Sequence, residues 1–209
     1  KQLLINQISH KIDEDAVFST PIIAVVGTAM NVGKTTAATE IIRALARNTK
    51  RKVAAAKLTG VAAQRDILSM EDAGAMKTIT FQDVGLVSTV NNRQLATATK
   101  TALHMLEEFK PDVIVVELGD GLIGWYGVDT LLKDVAFRKH IVFTLVCAHD
   151  LVGAVAATQL LKDMKIKANF FAGPVSNNTA GTDYIEDKLK IPAEDIRHSQ
   201  AKLISALKK

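Results

Sequence analysis

The chain has 209 residues, 48% of them apolar and 23% charged, a balance that suits one soluble globular domain with a full core and excludes a disordered chain. Lys and Arg exceed Asp and Glu by only 26 to 22. That excess sits in short patches such as 47–52, so it gives no argument for nucleic acid and fits an anionic small molecule equally well. One cysteine, Cys147, excludes a disulfide within the chain; set in an apolar run, it reads as a buried structural thiol in a reducing, cytoplasmic protein.

Taken in chain order, residues 1–21 carry no sustained apolar stretch and end in Ser19-Thr20-Pro21. They read as a connecting segment from an upstream domain, with a single domain over 22–209. Apolar runs of strand length then alternate with segments of helical period, the pattern of a three-layer α/β fold with a mostly parallel sheet covered on both faces. Strands are expected at 22–26, 52–56, 78–81, 113–116, 141–146 and 168–172. Helices are expected at 34–47, 66–74, 92–109, 129–138, 151–163, 182–190 and 199–207. The hydrophobic region 141–161 is about as long as a membrane span, but His149, Asp150 and Gln159 interrupt it; it reads as strand, turn and helix, and no membrane is expected. In a parallel sheet the C-terminal ends of the strands form one edge, where ligands bind. Each motif below falls on that edge.

The first strand runs into Gly27-Thr28-Ala29-Met30-Asn31-Val32-Gly33-Lys34-Thr35-Thr36, and a helix follows. Small residues let backbone N–H groups turn toward anionic oxygens, and a helix N-terminus adds partial positive charge. Lys34 is placed to neutralise terminal phosphate oxygens and the Thr35 hydroxyl to hold magnesium, so the segment is a phosphate loop for a nucleoside triphosphate. Its spacing departs from the usual form: Gly27 stands one residue too early, and Thr28 occupies the first-glycine position.

Three further groups stand at strand ends. Glu117 closes the run Val113-Ile114-Val115-Val116, and a carboxylate there can reach the magnesium. Asp120, in the following glycine-rich loop, is open to three readings: a second metal ligand, a base, or a turn former. Lys57 ends the second strand and could hold a substrate carboxylate or a transferring phosphoryl group. Asp66 is a further metal candidate on the next helix. Trp125 and Tyr126, among Gly119, Gly121, Gly124 and Gly127, could stack on a substrate, lie at a subunit contact or pack in the core. Asp150 reads as a helix cap. The other histidines make no zinc spacing.

The loop, in the form Gly-Thr-x-x-x-Val-Gly-Lys-Thr, resembles that of dethiobiotin synthetase, within the class that also holds the chromosome-partitioning ATPases and the signal-recognition GTPases. The order of motifs is similar: Lys57-Leu58-Thr59-Gly60 resembles that family's substrate-lysine segment. Glu117-Leu118-Gly119-Asp120-Gly121 resembles its Glu-Gly-Ala-Gly-Gly magnesium loop. Gly173-Pro174-Val175-Ser176-Asn177 resembles the segment whose asparagine reads the base. Three departures stand out: Ala29 replaces an acidic residue, Leu58 replaces a proline, and Asp120 interrupts the small-residue loop. They bear on the substrate and leave the nucleotide site intact. The loop also resembles that of bacterial P-loop proteins carrying an additional upstream domain. The resemblance implies an ATP-dependent, ligase-like enzyme using Mg2+, with Lys34, Lys57 and Glu117 in catalysis. Thr28, Asn31, Val32, Gly33, Lys34, Thr35, Thr36 and Asn177 would hold the nucleotide. It also implies an anionic small-molecule substrate and a homodimer. The alternative is a nucleotide-driven switch or assembly ATPase or GTPase acting on a protein partner.

Overall fold

A computed structural model describes residues 10–61 and 63–208; residues 1–9 of the connecting segment lie outside it. Six strands form one wholly parallel sheet: β1 (Ile22–Gly27), β2 (Val53–Thr59), β3 (Lys77–Thr80), β4 (Val113–Leu118), β5 (Ile141–Cys147) and β6 (Phe170–Ala172), in the order β3-β2-β4-β1-β5-β6. Side chains alternate across a strand, so β1 sends Ile22, Ala24 and Val26 into one core and Ile23 and Val25 into the other. Because both faces are covered, the inner strands β1, β4 and β5 read as near-continuous apolar runs rather than alternating ones, whereas the edge strand β3 is Lys-Thr-Ile-Thr.

On one face lie α1 (Lys34–Asn48), α2 (Gln64–Ala73) and α8 (Ala201–Leu207), represented in the core by Ile41, Met70 and Leu203. The other face is covered by α3 (Leu95–Glu107), α4 (Val128–Lys133), α5 (Val135–Arg138), α6 (Leu151–Asp163) and the segment from α7 (Thr179–Tyr184) into a π-helical turn at Ile185–Leu189. Among the described residues no helix is long and apolar enough to cross a membrane.

Three of the helix limits that differ from the sequence expectation share one cause, a short polar side chain competing for backbone N–H groups. The helix expected at 129–138 is split at Asp134, whose carboxylate accepts from Ala136 N at 2.7 Å and Phe137 N at 3.1 Å and so starts a new helix. The helix expected from residue 182 begins at Thr179, because Asn178 caps it by accepting from Gly181 N at 2.9 Å. α3 begins at Leu95 because Asn92 closes a local turn, its Oδ1 accepting from Gln94 N at 2.9 Å. At Asp150 the expected cap is present, accepting from Gly153 N at 2.7 Å.

Residues 10–20 are docked along α3. Thr101 Oγ1 accepts from Asp13 N at 2.9 Å, His104 Nδ1 lies 2.8 Å from Val17 O, and Glu107 Oε1 accepts from the N–H and hydroxyl groups of both Ser19 and Thr20. Phe18 is buried against His140, ring centroids 4.6 Å apart.

Candidate functional site

The loop between β1 and α1 is shaped by two left-handed residues, Asn31 (φ 59°) and Gly33 (φ 92°). Gly33 is the N-cap of α1 and supplies no side chain to it, so the first-turn N–H groups of a 15-residue helix remain open to an anion. Gly27 is required by close packing rather than by φ: a Cβ there would lie 2.7 Å from Val32 Cγ2. The early glycine thus supports the loop from beneath, and Thr28 at the usual glycine position is spent on structure. Its N–H donates to Cys147 O at 3.0 Å and its Oγ1 accepts from His149 N at 3.3 Å.

Lys34 is buried, and its Nζ donates to Ala29 O at 2.6 Å across the loop. Burial holds its pKa below the ordinary lysine value, against the opposing fields of Cys147, Glu117 and Asp120. Thr35 Oγ1 donates to Glu117 Oε1 at 3.1 Å. The same oxygen lies 3.3 Å from Lys57 Nζ, and Lys57 in turn pairs closely with Asp66 on the first turn of α2. The fold explains this meeting. Lys57 is paired in register with Glu117 between β2 and β4. Both follow the alternation of Val53 and Ala55, and of Val113 and Val115, onto the face carrying α1 and α2. Their side chains therefore meet the N-termini of those two helices.

Glu117 is 2% exposed, and burial raises its pKa, while Lys57 and Thr35 act to lower it. Its Oε2 is buried with no hydrogen-bond partner among the described residues. An orphaned carboxylate oxygen beside a threonine hydroxyl, facing a phosphate loop, suits a magnesium ion that takes its remaining ligands from phosphate and water. Among the described residues there is no group of three or more His, Cys, Asp or Glu that could hold a metal by itself.

Two cavities flank the loop and share Asn31, Gly33 and Thr36. The larger, about 430 Å³, is lined by Lys34, Thr35, Lys57, Asp66, Glu117 and Asp120, and continues to Arg65 and Tyr126. The smaller, about 180 Å³, lies between Val32, Pro174 and Asn177 on one side and Asp195, Ile196 and Arg197 on the other. One chamber thus brings together the sequence-chosen Lys34, Thr35, Glu117, Lys57, Asp66 and Asp120. Asn177 lies in the second, and Thr28 lines neither. Lys57, expected at a strand end facing a substrate, is instead inside β2, 5% exposed and paired with two carboxylates. Tyr126 lines the larger cavity, whereas Trp125 is 72% exposed and outside the core.

Asp195 and Arg197 were not visible in sequence. They reach the site because residues 192–194 run beside β6, with Phe171 N donating to Pro192 O and Glu194 N to Phe171 O, a pairing too short to leave a periodic signal. Arg197 clasps the Asp195 carboxylate with bonds of 2.9 and 2.8 Å and holds its pKa below the ordinary value. Cys147, fully buried beneath the loop, has its thiol pushed up to about 12 by burial, so it is inert packing.

No family model matches the sequence, and no curated protein matches it. Solved structures do match in three dimensions. A chloroplast FtsY from Physcomitrella patens superposes with a TM-score of 0.59 at 18% identity, over 97% of this chain and 70% of that one. The signal recognition particle receptor FtsY from Elizabethkingia anophelis, in complex with GDP, gives 0.58 at 14% identity, over 90% and 60%. A DUF1611 family protein from Anabaena variabilis gives 0.61 at 11% identity, over 96% and 62%. The chain therefore spans 60 to 70% of the length of these proteins. With the parallel sheet, the phosphate loop and its lysine in place, the fold is that of the P-loop NTPases.

Proposed function

We propose that this protein binds a purine nucleoside triphosphate with Mg2+ and cleaves its terminal phosphate. The observation that carries the reading is the chain of contacts from Thr35 through Glu117 to Lys57 and Asp66 beside an uncapped helix N-terminus. On binding, the N–H groups of 33–36 would take the phosphates, and Lys34 would exchange the Ala29 carbonyl for phosphate oxygens. Thr35 and Glu117 would hold the magnesium, which neutralises charge developing on the transferring oxygens. Lys57 would act as a buried counter-charge that aims Glu117 and Asp66 rather than touching substrate. The base would occupy the smaller cavity, against Asn177.

ATP is the nucleotide implied by the motif order, and GTP is suggested by the GDP held in the matched FtsY structure. A second reading is phosphoryl transfer to a small anionic acceptor, a carboxylate or carbamate, followed by capture with a nitrogen nucleophile. The extension of the 430 Å³ cavity to Arg65 and Tyr126 favours it. With Lys57 held inside the site, Arg65, whose side chain is 89% exposed and lies 3.6 Å from Asp66 Oδ1 at the cavity edge, is the cation placed to meet that acceptor. In either case a homodimer could use the exposed Val61, Ile123 and Trp125 around this edge.

Phosphate release from ATP and from GTP, with and without Mg2+, tests the proposal. Magnesium-dependent release from one of them, absent in Lys34→Ala, is expected. No release in the presence of a broad set of carboxylate and amine acceptors would reject both readings.

A further inference from the structure

The larger cavity contains three carboxylates, and they are not equivalent. Asp66 and Glu117 are both paired with Lys57. Asp120 makes no hydrogen bond or ion pair with any described residue, although its charge is felt at Lys34 in the same chamber. A carboxylate that serves structure usually accepts bonds from nearby N–H groups, as Asp134 and Asp150 do here.

The backbone around Asp120 points the same way. Asp120 sits at φ 73°, a left-handed conformation that glycine adopts without strain, and it stands in a loop otherwise rich in glycine. In the dethiobiotin synthetase-like loop that this segment resembles, a glycine occupies the position. The turn is fixed from below, since Gly60 and Gly119 meet back to back and a Cβ on Gly119 would lie 2.4 Å from Thr59 O. Its carboxylate is also seated: a Cβ on Gly124 would lie 2.8 Å from Asp120 Oδ2. A rigid turn thus presents one unpaired carboxylate to the chamber where the terminal phosphate would lie. An extra anion there opposes triphosphate binding and needs a compensating role.

Resting on the reading of the site as a Mg2+–nucleoside triphosphatase, we infer that Asp120 is the general base for hydrolysis. It takes one proton from a water molecule as the water oxygen forms its bond to the γ-phosphorus. The bond from that phosphorus to the β–γ bridging oxygen breaks, and its electron pair leaves with the nucleoside diphosphate. The proton on Asp120 then passes to solvent, restoring the carboxylate. No oxidant or further reactant is involved.

The test compares Asp120→Asn, Asp120→Gly and Gly124→Ala with the parent protein, after thermal melting has shown that each is folded. Binding is measured by calorimetry with Mg2+ and non-hydrolysable ATP and GTP analogues, and chemistry by single-turnover hydrolysis. The two Asp120 variants are expected to bind the analogue as tightly as the parent or more tightly, yet to hydrolyse about 100-fold more slowly or worse. Sodium formate should restore part of the rate in Asp120→Gly and leave the parent unchanged. Gly124→Ala, which displaces the carboxylate while keeping its charge, should slow hydrolysis without tightening binding.

Hydrolysis within threefold of the parent in Asp120→Asn would overturn the inference. So would a fall in affinity parallel to the fall in rate, the signature of a metal ligand, and so would a parent that binds nucleotide but never hydrolyses it. Failure of the parent to bind any nucleotide is a different result: it removes the proposed function itself, and the base assignment with it.

Discussion

Lys57 holds two buried carboxylates in one network, so its loss should be felt before any chemistry is assayed. Truncation to alanine leaves Asp66 and Glu117 without their buried counter-charge, Asp66 keeping only the exposed Arg65, and breaking a buried pair in this way costs about 3–5 kcal/mol. Lys57→Ala is expected to unfold at correspondingly lower urea concentration; an unchanged midpoint would show that the network carries no structural weight. Lys34 has the opposite sign. Burial depresses its pKa in the folded state, so between the folded and unfolded values stability rises with pH, and below that window the cost of burying the charged amine is fully present. Lys34→Met should therefore melt higher by a few degrees, about 1 kcal/mol, while losing nucleotide binding. A lower melting temperature would mean that the Ala29 contact outweighs desolvation. The placement of Lys34, Thr35 and Glu117 was legible from sequence because each lies at a strand end or helix start that the apolar pattern marks. The pairing of Lys57 was not. Its partner Asp66 is nine residues away on another element, and only the register of β2 against β4 shows that Lys57 faces Glu117.

At the scale of elements, the glycine contacts and the segment over α3 make separate predictions. The ends of β2 and β4 touch through Gly60 and Gly119, leaving no room for a methyl group between them. Gly119→Ala should cost about 1–3 kcal/mol through overpacking and move the Asp120 turn, and thermal melting against the parent reads the cost. The segment 10–20 is fastened by Glu107. Partial burial raises that carboxyl's pKa, but four bonds from Ser19 and Thr20 outweigh it, and the net shift is downward. A depressed folded pKa contributes stability above the unfolded value and loses it as pH falls through the folded one. Glu107→Gln should thus cost roughly 1 kcal/mol at neutral pH and nothing once the parent carboxyl is protonated. Equal destabilisation at both extremes of pH would contradict the account. Strand positions were legible because buried parallel strands are long apolar runs. Helix limits near Asn92, Asp134 and Asn178 were less so, because a short polar side chain can serve a helix interior, a cap or a turn with the same sequence appearance.

For the whole molecule, parallel topology brings the C-terminal ends of all six strands to one edge, and that edge was foreseeable from the alternation of strands and helices. The order β3-β2-β4-β1-β5-β6 was not, since long-range pairing leaves no local trace. That order sets β1 between β4 and β5, and so places the phosphate loop between Glu117 and the smaller cavity formed by 173–177 and 195–197. The proposed phosphate and metal subsites would then lie in the larger cavity and the base in the smaller, the two meeting at Asn31, Gly33 and Thr36.

The most direct test of this account is calorimetric titration of Mg2+ with ATP and with GTP into this chain and into Lys34→Ala. The account predicts saturable, one-to-one, magnesium-dependent binding of at least one nucleotide, lost in the variant while the fold persists. Absence of binding to both nucleotides, or equal binding by Lys34→Ala, would contradict it.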